Sequence, residues 1–193
     1  MTFSQCIAAQ QPRELQAFIQ LLVDHDVRSY LEIGTRQGDT FHEVMRHLPK
    51  GSKGVAVDMP GGLWGTDSRD GLLAAINDLQ DYNVQALFGD SSKIVELVLS
   101  HGPYDAVFID ADHRYESVKR DYANYGDSPI VGFHDIDTQG MYTGKHSLGV
   151  YEFWQELKQD NNCIEFIDPS DDRPMGIGVC VKASDRYPQQ LTA

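Results

Sequence analysis

Leu31-Glu32-Ile33-Gly34-Thr35-Arg36-Gln37-Gly38-Asp39 is the stretch on which the fold turns. The run from Ser29 to Ile33 is short and apolar and reads as a strand; from about Asp39 to His47 the spacing is helical, closed by Pro49-Lys50-Gly51. The stretch is therefore a strand-to-helix turn. Gly34 lets the backbone turn tightly after the strand, and Gly38 lets a ligand approach the next helix. Its Gly-x-x-x-Gly spacing is neither the GxGxxG of nicotinamide and flavin sites nor the GxxxxGK of phosphate-binding loops. Glu32, two positions before the first glycine, suits a ligand with a cationic part better than a pyrophosphate.

Outward from this turn, strands and helices alternate. An amphipathic helix is predicted over Pro12 to Asp24, with Leu15, Phe18, Ile19, Leu22 and Val23 at helical spacing. It also offers a surface for self-association. Gly54 to Val57 reads as a second strand ending on Asp58, Met59 to Arg69 as a loop, and Asp70 to Asp81 as a helix. Val84 to Phe88 is a third strand ending at Gly89-Asp90, with Ser91 or Ser92 capping a helix that carries Ile94, Val95, Leu97 and Val98. Ala106 to Ile109 ends on Asp110 and precedes a helix from about Tyr115 to Asn124; Ile130 to Phe133 ends on His134-Asp135. Val150 to Lys158 reads as a helix whose Phe153 and Trp154 belong to the core, and Cys163 to Ile167 and Ile177 to Val181 as strands pairing antiparallel. This alternation predicts an α/β, Rossmann-like, doubly wound and mostly parallel sheet with an antiparallel C-terminal strand pair.

At 193 residues, 41% hydrophobic and 23% charged, the chain suits a single globular domain. It divides into an N-terminal helix at about 12–24, a first half at about 28–110 and a second half at about 110–182. No apolar run has the length of a membrane span, and Met1 to Gln11 lacks a signal-like core, so a cytoplasmic protein with no membrane partner is expected. A net charge of −13 argues against a nucleic-acid partner, because such binding leans on clustered Lys and Arg. The three cysteines, Cys6, Cys163 and Cys180, form no CxxC pair or zinc-type cluster and read as reduced thiols.

In an open parallel sheet, ligands bind beyond the carboxyl ends of the strands. Here those ends carry Glu32, Asp58, Asp90, Asp110 with Asp112, and Asp135. Helix capping explains any one of these acids but explains the whole set poorly.

Glu32-Ile-Gly34-Thr-Arg-Gln-Gly38 resembles the first motif of class I S-adenosylmethionine-dependent methyltransferases, with Arg36 where many members carry a glycine. Asp58 sits where that family holds the ribose hydroxyls, and Gly89-Asp90-Ser91 is similar to the motif beside the adenine. Phe108-Ile109-Asp110-Ala111-Asp112-His113-Arg114-Tyr115-Glu116 is similar to the FIDGDHxYE segment of a subgroup with sugar O-methyltransferases and cephalosporin hydroxylase-like proteins. Phe133-His134-Asp135 and Gly149-Val150-Tyr151-Glu152-Phe153-Trp154 continue that pattern, so the resemblance runs from Ser29 to Trp154.

The resemblance implies S-adenosylmethionine as cofactor, lined by Glu32, Gly34, Thr35, Gly38, Asp58, Asp90, Ser91 and Asp110. It also implies magnesium or manganese on Asp110, His134 and Asp135, although imidazole is a poorer magnesium ligand than carboxylate. The candidates for taking the acceptor's proton are Asp112 and His113. His113 has the better ordinary pKa, whereas Asp112 holds the position of the base in the sugar-modifying relatives. The plain alternative makes Asp112 a helix cap and His113 a surface residue. Trp64 and the stretch Tyr142 to His146 are candidates for covering the site. The implied activity is methyl transfer to a small polar acceptor, at oxygen. Two alternatives stay open: a cofactor-binding protein of this fold without methyl transfer, and a nicotinamide oxidoreductase, which the missing GxGxxG disfavours.

Overall fold

The computed structural model describes residues 10–61, 68–137, 149–170 and 175–182. Trp64, Cys6 and the Tyr142–His146 stretch lie outside them. The chain runs α1 (Pro12–Asp24), β1 (Ser29–Ile33), α2 (Asp39–His47), β2 (Lys53–Asp58), α3 (Arg69–Asp78) and β3 (Asn83–Phe88). It continues α4 (Val95–Leu99), β4 (Ala106–Ile109), α5 (Tyr115–Tyr125), β5 (Ile130–His134), α6 (Gly149–Asp160), β6 (Cys163–Phe166) and β7 (Ile177–Val181). The strands form one sheet in the order β3-β2-β1-β4-β5-β7-β6. β7 runs antiparallel to both β5 and β6, and the other pairs are parallel.

Alternation along each strand sorts the core into two layers. Tyr30, Ala56, Phe108 and Ile130 face α1, α2 and α3, whereas Leu31, Ile33, Val107 and Phe133 face α4, α5 and α6. Both faces of β1 are thereby covered, which is why it reads as unbroken apolar sequence around Glu32. Phe153 and Trp154 lie in the second layer, as their spacing predicts.

Four readings change. α1 spends its apolar face on the core, with Phe18 and Leu22 wholly buried, so only Val23 of its large apolar residues remains exposed and the helix offers no free self-association stripe. α3 stops three residues early, because Leu79 turns off the helix and Tyr82 donates its N–H to the Leu79 carbonyl. α4 begins only at Val95 without a serine cap; the Ser92 hydroxyl and amide both go to Asp90 Oδ1, at 2.7 and 3.0 Å, and Ser91 donates to Asp121 instead. Cys163 and Cys180 are joined as a disulfide rather than standing as reduced thiols, because antiparallel β6 and β7 bring them into register as direct neighbours.

Candidate active site

Strand order reverses between β1 and β4, and there the carboxyl ends of the parallel strands diverge into a crevice. It is a cavity of about 820 Å³. Its walls come from the β1 turn (Glu32 to Gln37), the β2 end (Val57 to Met59), Gly89 to Ser91, Asp110 to Arg114, and His134 with Asp135.

The β1 turn is built around Gly34. Its φ is +93°, and a Cβ there would lie 2.2 Å from the Asp110 carbonyl oxygen, so only glycine fits between the ends of β1 and β4. Arg36 is also left-handed, at φ +48°, a conformation that glycine adopts at less cost; this is the position where the resembling motif carries a glycine. Gly38 corrects its reading. It does not line the cavity, and a Cβ on it would meet the Ala75 Cβ at 2.8 Å, so it admits α3 rather than a ligand. Thr35 lines the cavity but turns its hydroxyl onto the Glu32 and Val57 carbonyls, at 3.3 and 3.2 Å.

Asp58 ends β2 and reaches across to the β1 turn. Its Oδ1 accepts the Arg36 N–H at 2.9 Å, and its Oδ2 accepts the Ser68 hydroxyl. Glu32 is buried, and its Oε2 accepts the Tyr30 hydroxyl at 2.7 Å. Burial pushes the Glu32 carboxyl well above its ordinary pKa, against the opposing pull of that hydrogen bond. Asp90, lowered by the Ser92 hydroxyl, stays ionised at the cavity rim.

At the β4 and β5 ends, two carboxylates and two imidazoles converge. His134 Nδ1 lies 3.2 Å from Asp110 Oδ1 and 3.5 Å from Asp135 Oδ2. His113 Nδ1 lies 3.0 Å from the same Asp135 oxygen, and its Nε2 lies 3.6 Å from Asp110 Oδ1. Burial would raise Asp110, but the charge of His134 and hydrogen bonding with both histidines hold its carboxyl far below the usual range. Burial would lower both histidines, yet Asp110 and Asp135 raise them, His134 the more strongly. Asp135 is itself left-handed, at φ +62°, which aspartate tolerates better than most residues.

Asp112 stands apart from this group. Its carboxylate accepts the Arg114 amide at 3.2 Å, the Ser117 hydroxyl at 2.8 Å and the Arg114 guanidinium. It thus organises the start of α5, and burial loses to the Arg114 and Ser117 hydrogen bonds, leaving its carboxyl below its ordinary value.

One ligand atom each from Asp110, His134 and Asp135 falls within 4.8 Å of the others, a spacing that a divalent ion can bridge. The carboxylates suit magnesium or manganese, and the imidazole adds a softer donor that must be neutral to bind. Sequence reasoning missed Gln10, Asp121 and Met175, all of which line the cavity from distant elements. No local motif marks any of the three.

The chain matches a methyltransferase-domain family over residues 31–136, more than half its length. No curated protein matches it. Among solved structures it is similar to an O-methyltransferase from Bacillus cereus in complex with SAH, at 19% identity and TM-score 0.69, covering 92% of this chain and 84% of that one. It is also similar to TomG, an O-methyltransferase of tomaymycin synthesis from Streptomyces achromogenes in complex with SAM, at 17% identity and TM-score 0.70, covering 91% and 82%. A putative caffeoyl-CoA O-methyltransferase from Staphylococcus aureus aligns at 17% identity and TM-score 0.65, covering 90% and 85%. By the family match the chain belongs to the methyltransferase-domain family, and by its structural similarity to these enzymes it has the class I S-adenosylmethionine-dependent methyltransferase fold.

Proposed function

We propose that the protein transfers a methyl group from S-adenosylmethionine to a hydroxyl of a small polar acceptor. The observation that carries this reading is the polarity of the cavity along its length. One end has Asp58, Asp90 and Ser91 for a nucleoside, and the other has Asp110, His113, His134 and Asp135 for a reacting hydroxyl. Similar folds with SAM or SAH bound add support.

In this reading the Asp58 carboxylate accepts hydrogen bonds from both ribose hydroxyls, exchanging Ser68 for the ligand. Glu32 faces the cationic part of the cofactor, whose charge on binding favours the ionised carboxylate that burial alone disfavours. The acceptor oxygen attacks the methyl carbon in line, forming the C–O bond as the C–S bond breaks, and the C–S electron pair stays on sulfur. His113 takes the hydroxyl proton in its neutral form: its Nδ1, 3.0 Å from Asp135 Oδ2, is held by that carboxylate, and its Nε2 accepts the proton. Asp112, committed to Arg114 and Ser117, is the weaker base and serves mainly to place His113. Asp110, His134 and Asp135 would hold magnesium or manganese, which when bound lowers the pKa of a coordinated hydroxyl.

The test is S-adenosylhomocysteine formation over a panel of sugars and vicinal diols, with and without chelator. We expect turnover that falls at least about 100-fold in His113→Asn, within the range for loss of a general base. Loss of turnover in chelator with retained cofactor binding supports the metal. Full activity in chelator removes the metal and leaves His113 to act alone. Tight cofactor binding with no turnover on any acceptor favours the non-catalytic alternative.

A further inference from the structure

Gln10 lies just before α1, a hundred residues from Asp110, yet its side chain is buried at the floor of the cavity. Its Nε2 donates to Asp110 Oδ2 at 2.6 Å. Its Oε1 accepts the hydroxyl of Thr40, which is also buried and lines the cavity from the first turn of α2. Both ends of the carboxamide are therefore used, and with the correct polarity.

Asp110 is reached from opposite sides. His134 and His113 both face Oδ1, at 3.2 and 3.6 Å, while Gln10 donates to Oδ2 from the other side. A carboxylate can rotate about its Cβ–Cγ bond, and a donor fixed on one oxygen sets which oxygen the imidazoles meet. We propose that Gln10 is a positioning residue of the transfer site: it orients the Asp110 carboxylate towards His113 and His134 and ties the first turn of α2 to the end of β4. The catalytic consequence rests on the methyl-transfer reading above. The orientation of Asp110 does not.

This role makes demands that a space-filling residue would not meet. Gln10→Leu keeps the bulk but has no donor, so Asp110 Oδ2 loses a charge-assisted bond worth about 10- to 100-fold in the step that depends on it. Gln10→Glu keeps the shape but sets one carboxylate against another, and only its protonated form can donate. The experiment compares the parent, Gln10→Leu and Gln10→Glu in three readouts. These are S-adenosylhomocysteine affinity, kcat against KM on any acceptor that the parent turns over, and crystal structures with S-adenosylhomocysteine bound. We expect near-parent cofactor affinity, a fall in kcat of about 10- to 100-fold in Gln10→Leu, and a fall at least as large in Gln10→Glu. An inactive parent overturns the methyl-transfer reading, and the crystal structure then decides the role of Gln10 by itself. A rotated Asp110 carboxylate in Gln10→Leu upholds the inference; one superimposing on the parent within about 0.5 Å, or a parent-like kcat, overturns it.

Discussion

Glu32 shows how a single residue serves opposed ends. Its carboxyl is wholly enclosed between Tyr30 and the cavity, and burial raises its pKa well above the ordinary value. A carboxyl raised in this way contributes its stability below the unfolded-state pKa of about 4.3, and that contribution is lost as pH rises towards the folded-state value. Gln cannot ionise and can still accept the Tyr30 hydroxyl. Glu32→Gln is therefore expected to raise the melting temperature at neutral pH, with an advantage over the parent that shrinks as pH falls towards 4, while weakening S-adenosylmethionine. Thermal unfolding across pH, paired with calorimetry, checks both. An advantage independent of pH, or an unchanged affinity, would contradict this account of Glu32. The residue was legible in the sequence because it stands two places before Gly34 at a strand end. Gln10 was not: its partner Asp110 is remote in the chain, and nothing in Gln10-Gln11-Pro12 points inward.

Among the elements, the turn from β1 to α2 carries the most constraint. Gly34 combines a positive φ with backbone contact across to β4, so Gly34→Ala must both strain its own backbone and push the Asp110 carbonyl aside. A loss of at least about 2 kcal/mol in stability is expected, measurable by urea unfolding, since each such strained site costs about 1–3 kcal/mol before the clash is counted. A variant within 0.5 kcal/mol of the parent (roughly the range of neutral surface changes) would show that β1 and β4 can separate without cost. Elements of this kind were readable because apolar runs, glycines and acids punctuate them at short range; every strand from β1 to β5 starts and stops within about a residue of where its pattern places it. What was not readable depended on neighbours in space. Gly38 admits α3 instead of a ligand, Ser91 and Ser92 turn to Asp121 and Asp90 instead of capping α4, and Cys163 meets Cys180 only because β6 and β7 pair. Spacing along the chain carries no information about such cross-element contacts.

At the scale of the whole molecule, the order of the strands creates the site. β1 and β4 are neighbours although two strands and three helices separate them in sequence, and the reversal opens a cavity of about 820 Å³. That volume lies in the upper part of the range of about 300–1,000 Å³ typical for small-molecule sites. In the proposed function, that volume serves a nucleoside cofactor and a small acceptor together. No described helix is long and apolar enough to cross a membrane. The acids that made this edge conspicuous in sequence divide in space. Asp58 and Asp90 stay at one end, whereas Asp110 and Asp135 are balanced by His113 and His134 at the other. In the proposed function S-adenosylmethionine occupies this cavity with its ribose on Asp58. The decisive measurement is calorimetric titration of S-adenosylmethionine into the parent and into Asp58→Ala. Binding to the parent and a loss of about 2–4 kcal/mol in the variant are expected, the contribution of hydrogen bonds to a charged acceptor. An affinity within about threefold of the parent, under 1 kcal/mol, would contradict it.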